Sequence, residues 1–114
     1  MPYINVKVAK KLNVEKREEL HLEIAQNITI LPGKVMSGTT IVVEDDCFMV
    51  RDGKPMDGIF IEVRLYKPSP DDAKKKFADK LFSIVENVLD IPPANTQINY
   101  VELPTWGVDG KLLM

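Results

Sequence analysis

One cysteine, Cys47, is all the chain has, so no internal disulfide can form and a reducing compartment is the expected setting. Histidine is equally scarce: His21 lies among charged neighbours in a helical stretch and reads as solvent-facing rather than as a ligand. No His/Cys/Asp cluster has metal spacing, and no glycine-rich phosphate loop occurs, so neither a metal nor another cofactor is implied. Charge of one sign is missing as well. The 15 basic and 17 acidic side chains give a net charge of −2 and are interspersed, which leaves nucleic acid without an electrostatic basis. No apolar run approaches the roughly 18 residues of a membrane span, and no basic leader precedes one, so the expected location is the cytoplasm and no membrane partner is expected. Linkers and low-complexity segments are absent too. Residues 1–114 read as a single domain, large enough for a real core.

What is present is present twice. Ile4-Asn5-Val6-Lys7-Val8 returns 57 residues later as Ile61-Glu62-Val63-Arg64-Leu65, and Leu20, Ile24 and Ile28 find counterparts in Phe77, Leu81 and Val85. Val43-Glu44 matches Val101-Glu102 after a one-residue slip, and Asp52-Gly53-Lys54 matches Asp109-Gly110-Lys111. The halves are about 2–57 and 58–114. The repeat also shows where the fold makes no demand: Pro2 falls opposite Ile59 and Lys34 opposite Ile91.

Each half reads as strand, helix, strand and tight turn. Tyr3 to Ala9 alternates with a period of two, placing Ile4, Val6 and Val8 on one face. Asn13 is a candidate N-cap for a helix from about Val14 to Ile30, ended by Leu31-Pro32-Gly33. Thr39 to Glu44 is β-branched and reads as the second strand. In the second half, Gly58 to Tyr66 is a strand, and Ser69-Pro70-Asp71-Asp72 opens a helix with a serine cap and first-position proline. Ile91-Pro92-Pro93 stops that helix, and Thr96 to Glu102 is the fourth long strand. Asp-Gly dipeptides close short hairpins after strands two and four.

Strand–helix–strand units of this length favour right-handed parallel crossovers. Two of them most simply build an α+β fold: a four-stranded mixed sheet with both helices on one face. The uncovered face would carry Asn5, Lys7, Glu62, Arg64 and Asn99 mixed with Tyr3, Phe60 and Tyr66. That is too polar for a second core and too aromatic for a merely wet surface, so a homo-oligomer is expected.

Met1-Pro2 leading directly into a strand, the tandem repeat, and the stretches Gly33-Lys34, Val42-Val43-Glu44-Asp45, Cys47-Phe48-Met49, Ile98-Asn99-Tyr100 and Trp106-Gly107 together form a pattern. In this order and spacing the chain resembles the tautomerase superfamily, nearest its macrophage migration inhibitory factor branch. The resemblance spans essentially the whole chain. It implies a homotrimer whose sheets wrap a central channel, with three pockets at subunit edges. It maps the catalytic base onto Pro2, a carboxylate-binding lysine onto Lys34, the strand residue beside the proline onto Leu65, and a neighbouring subunit's asparagine onto Asn99. Where cytokine-type members have an adjacent-subunit tyrosine this chain has Gln97, which puts a preference for aromatic substrates in doubt.

The implied chemistry is a cofactor-independent keto–enol tautomerisation of a small carboxylic acid. One base of suitable pKa can both remove and return the proton. An α-amine titrates at about 7.7–8.0, and burial or a nearby cation lowers it, so a Pro2 amine freed of Met1 could be neutral at physiological pH. Its ring aims the lone pair; otherwise Pro2 merely starts an edge strand. Lys34 either holds a substrate carboxylate or is one more solvated lysine. Asn99 either bonds the substrate carbonyl or ties a strand edge, and Lys67 either adds a second cation for a diacid or is solvated. Phe48, Met49 and Trp106 read as pocket wall or subunit contact. Two alternatives stand beside the tautomerase: a trimeric binding or signalling module, and a dehalogenase or decarboxylase of the same superfamily. The latter needs a water-activating carboxylate that Pro32 to Met36 does not offer.

Overall fold

The computed structural model describes every residue from Met1 to Met114. In chain order the elements are β1 (Pro2–Val8), α1 (Val14–Gln26), β2 (Thr40–Glu44), hairpin strands β3 (Val50–Arg51) and β4 (Lys54–Pro55), β5 (Ile59–Tyr66), α2 (Asp71–Leu89), β6 (Thr96–Leu103), and hairpin strands β7 (Trp106–Val108) and β8 (Lys111–Leu113). The four long strands form one sheet in the order β2-β1-β5-β6. β1 runs parallel to β2 and β5 parallel to β6, while β1 and β5 meet antiparallel in the centre. The mixed α+β sheet is the expected one.

Alternation along β1 and β5 buries Ile4, Val6 and Val8 with Ile59, Ile61, Val63 and Leu65, and these join Leu20 and Ile24 of α1 and Phe77, Leu81 and Val85 of α2 in one core. Burying each such side chain stabilises the fold by about 1.5–3 kcal/mol. The opposite sheet face keeps its mixed character. Tyr3, Asn5, Lys7, Glu62 and Arg64 surround a polar basin there, with Arg64 Nε 2.6 Å from Glu62 Oε1.

The repeat is an internal pseudo-twofold whose axis passes through the Asn5–Glu62 pair, since these two residues are both cross-strand partners and repeat equivalents. The strand registers agree without interruption: Tyr3 pairs with Thr40, and their equivalents Phe60 and Gln97 pair likewise. The one-residue slip read from Val43-Glu44 and Val101-Glu102 is therefore corrected. Asp45, not Glu44, is the equivalent of Glu102. The physical reason is a repeated carboxylate clamp. Asp45 Oδ2 accepts from Leu12 N–H at 2.7 Å and Oδ1 from Arg17 at 2.8 Å. Glu102 Oε2 accepts from Ser69 N–H at 2.7 Å and Oε1 from Lys74 Nζ at 2.9 Å.

Both clamps draw their carboxyl pKa values down. The chief cause is the Leu12 N–H bond at Asp45 and the Lys74 bond at Glu102. Depressed folded-state values mean that this stabilisation is present above the unfolded values near 3.8 and 4.5 and is lost as pH falls through the folded ones. The melting temperature of the native chain should therefore drop steeply below about pH 4.5. An Asp45→Asn/Glu102→Gln variant should melt lower at pH 7 but show a flatter acid limb. Parallel limbs in a thermal series from pH 7 to 3 would remove the clamps from the account.

Two helix boundaries differ from expectation. Asn13 caps α1 as expected, its side chain accepting from Lys16 N–H at 2.7 Å, but α1 stops at Gln26 instead of Ile30. Asn27 turns its amide back to the Glu23 carbonyl at 2.7 Å, and a 3₁₀ turn over Ile28–Ile30 carries on in its place. Ser69 does not cap α2: its N–H is taken by Glu102, and α2 starts at Asp71 behind Pro70 with no side-chain cap. At its other end α2 is closed before the prolines by Asp90 in a left-handed conformation, φ 57°. Gly33, the equivalent of Asp90, has φ 78°. Both Asp-Gly hairpins form as expected, with positive φ at each turn residue.

Candidate functional site

Pro2 is buried as the first residue of β1 and pairs with Leu65 of β5. Strand alternation puts its ring on the core side with Ile4 and Val6. Leu65 is fully buried in the core, so it acts as the packed floor beside Pro2. Lys34 arrives from the other direction. The left-handed Gly33 reverses the chain after the 3₁₀ turn, and Lys34 N–H closes that reversal onto the Leu31 carbonyl at 3.1 Å. The Lys34 ammonium then stands beside the Met1 amine. Burial first, and then the charge of Lys34 and a hydrogen bond with it, hold that amine below the ordinary α-amine range. Pro2, Lys34 and Leu65 thus meet at one corner of the sheet.

Gln97 and Asn99 do not join them within one chain. Both are exposed on the open face of β6. Pro2 shares its rung with Leu65 and Glu102, and Gln97 lies five residues before Glu102, about 17 Å away along the strands at roughly 3.4 Å per residue. Gln97 instead lines a cleft of about 380 Å³ with Met49, Val50, Met56, Phe60 and Arg51. That cleft therefore lies at the opposite end of the strands from Pro2.

Sequence reading missed Arg51, whose guanidinium donates to Ala94 O at 3.1 Å and Asn95 Oδ1 at 3.0 Å while lining that cleft. Its only sequence signal was its place beside the Asp52-Gly53 turn. Met49 lines the cleft, Phe48 is 86% exposed, and Trp106 borders a shallow groove with Tyr3 and Arg64. His21 is half exposed, 3.7 Å from Glu18, in keeping with a solvent-facing side chain. Tyr100, half-buried against the core, donates to the Lys74 carbonyl at 2.7 Å, and its pKa is pushed up by burial and then by the Glu102 charge. It is a structural phenol.

No family model matches the chain, and no curated protein matches it in sequence. Solved structures do match it in shape. MIF2 of Leishmania major superposes with a TM-score of 0.90 at 16% identity, over 99% of this chain and 97% of that one. Pt0534, solved after inactivation by 2-oxo-3-pentynoate, gives 0.87 at 13%, over 95% and 93%. A fused 4-OT, solved as an asymmetric trimer, gives 0.86 at 19%, over 96% and 94%. The chain has the tautomerase fold in the form shared by macrophage migration inhibitory factor homologues and fused 4-OT. No helix is long and apolar enough to cross a membrane.

Proposed function

We propose that the protein is a cofactor-independent keto–enol tautomerase of small 2-oxo or enol carboxylic acids, acting in the cytoplasm as a homotrimer. Removal of Met1 frees the Pro2 amine, which takes the proton from one atom of the substrate and returns it to another. Lys34 holds the carboxylate and stabilises charge developing on the enolate oxygen. Leu65 fixes the wall beside the ring. The observation that carries this reading is the corner itself: a buried proline nitrogen, one residue from an amine whose pKa is already lowered, beside a lysine ammonium. At the pseudo-symmetric corner the same two positions are Ile59 and Ile91, both buried. The fold needs neither an imino acid nor a cation there.

The trimer follows from what one chain leaves apart. Gln97 and Asn99 reach a Pro2 corner only if a neighbouring copy brings its β6 to it, and the open, partly aromatic sheet face offers the surface for that contact. The solved fused 4-OT is a trimer, and Pt0534 is inactivated by a 2-oxo acid; both are in keeping with this reading.

The direct test follows the ultraviolet absorbance of an enol acid such as phenylenolpyruvate or 2-hydroxymuconate as it ketonises. Native protein should exceed the buffer rate, and Lys34→Met should lower kcat/KM by about a hundredfold, the loss typical of one oxyanion-stabilising donor. No acceleration by Met1-processed protein across a panel of such acids would end the enzymatic reading.

A further inference from the structure

The cleft bordered by Arg51 is formed by the β3–β4 hairpin and the first residues of β5 and β6. Its walls are apolar and pliable. Met49 and Met56 are joined across the hairpin, the Met56 N–H donating to the Met49 carbonyl at 2.9 Å, and they line the hollow with Val50, Ile59 and Phe60. Half of Val50 and 37% of Phe60 stay open to solvent, so this lining is accessible in the chain. At about 380 Å³ the hollow falls within the range of about 300–1,000 Å³ usual for small-molecule clefts. Unbranched methionine side chains adapt to the outline of an apolar guest.

Its polar groups are of one kind. Lys7, Arg51, Asn95 and Gln97 supply cations and amides, and no aspartate or glutamate lines the cleft. Lys7 has a carboxylate partner, Glu44 at 3.6 Å. Arg51 has none: both acceptors of its guanidinium, the Ala94 carbonyl and Asn95 Oδ1, are uncharged, and it joins no ion pair of the chain. Asn95 is itself fixed by donating to the Asp57 carbonyl at 3.2 Å. The fork is therefore held in one orientation with its charge unneutralised and N–H groups to spare, which lowers the entropy lost when it grips a carboxylate. The pseudo-twofold shows that the fold does not ask for this cation. Val108, on the β7–β8 hairpin, is the equivalent of Arg51. In turn Ile59 lines the cleft where its equivalent, Pro2, carries the imino nitrogen, so a guest here is held rather than converted.

We propose that the Arg51 cleft is a non-catalytic binding site for a small monocarboxylate with an apolar body. The guanidinium takes the carboxylate, and Met49, Met56 and Phe60 enclose the apolar part. The site needs only the hairpin end of the chain and stands whether or not Pro2 acts as a base. Octanoate and octanol, which differ in charge at one end of the same chain, are the probes. In NMR titrations that follow the methionine methyl groups, octanoate should shift Met49 and Met56 and bind at least about tenfold more tightly than octanol, the equivalent of one charged hydrogen bond. Arg51→Gln, which keeps an amide donor for the Ala94 carbonyl, should bring the ratio close to one without changing octanol affinity. Phe60→Ser should weaken both probes together. The Met49 and Met56 shifts should persist in Lys34→Met, which separates this site from the Pro2 corner.

Equal affinity for both probes, or a preference that survives Arg51→Gln, overturns the proposal. So do shifts confined to Met36, two residues beyond Lys34, because they place the carboxylate at the other end of the sheet. Failure of octanoate to bind, with the Met49 and Met56 methyls shielded from a soluble paramagnetic agent, gives the cleft to a neighbouring copy of the chain and overturns it as well. An octanoate preference lost in Arg51→Gln, in a protein that tautomerises nothing, upholds the cleft and removes only the enzymatic reading of Pro2.

Discussion

Pro2→Ala, in protein freed of Met1, should lower kcat/KM for an enol acid by about 10²–10⁴-fold, the range for losing a positioned general base. Alanine leaves an α-amine at the chain start, but an acyclic one whose lone pair is no longer aimed by a ring. Protein that retains Met1 should be less active still, because its Pro2 nitrogen is an amide without a basic lone pair. Intact-mass measurement sorts the processed from the unprocessed chain, and activity should follow the processed fraction. Circular dichroism should not distinguish the variants, since Pro2 contributes no N–H to the sheet. Equal activity of processed and Met1-bearing protein would show that the proline nitrogen takes no part.

Phe77→Ala should cost about 3–5 kcal/mol of folding stability, the usual result of emptying a phenylalanine site. Phe77 is the bulkiest of the fully buried side chains and belongs to the core shared by α2, α1 and the sheet. Its repeat equivalent is Leu20, also fully buried, so no slack exists across the pseudo-axis to collapse into the gap. Urea unfolding, with the denaturant slope compared as well as the midpoint, measures the loss. A change under about 1 kcal/mol would mean that the helix layer is looser than the burial implies.

Most of the fold could be read in advance because it is written twice. Period-two alternation in Ile4-Asn5-Val6-Lys7-Val8 and Ile61-Glu62-Val63-Arg64-Leu65 identified the central strands and their buried faces. Failures came where side chains compete for backbone groups. Ser69 looked like a cap, yet a carboxylate 33 residues away takes its N–H. Asn27 ended α1 early by bonding to its own helix. Matching Val-Glu to Val-Glu misaligned the second strands, because resemblance between letters outranked the clamp that Asp45 and Glu102 share. Of the proposed site, Pro2 and Lys34 lie at one corner within a single chain. Gln97 and Asn99 lie exposed on the far reach of β6, and no pattern along a single chain encodes a contact between subunits.

The axis through Asn5 and Glu62 has one more consequence. A polypeptide of half this length could complete such a sheet only by joining an identical twin, and any residue at one corner would then occupy both. The aspartate that pairs with Lys10 would then stand at both corners, and a lysine in place of Ile91 would open the core. Covalent linkage of the halves dissolves that tie. One corner can then serve packing alone while the other takes on the chemistry proposed for Pro2 and Lys34, a division of labour that no symmetric pair of half-chains could adopt.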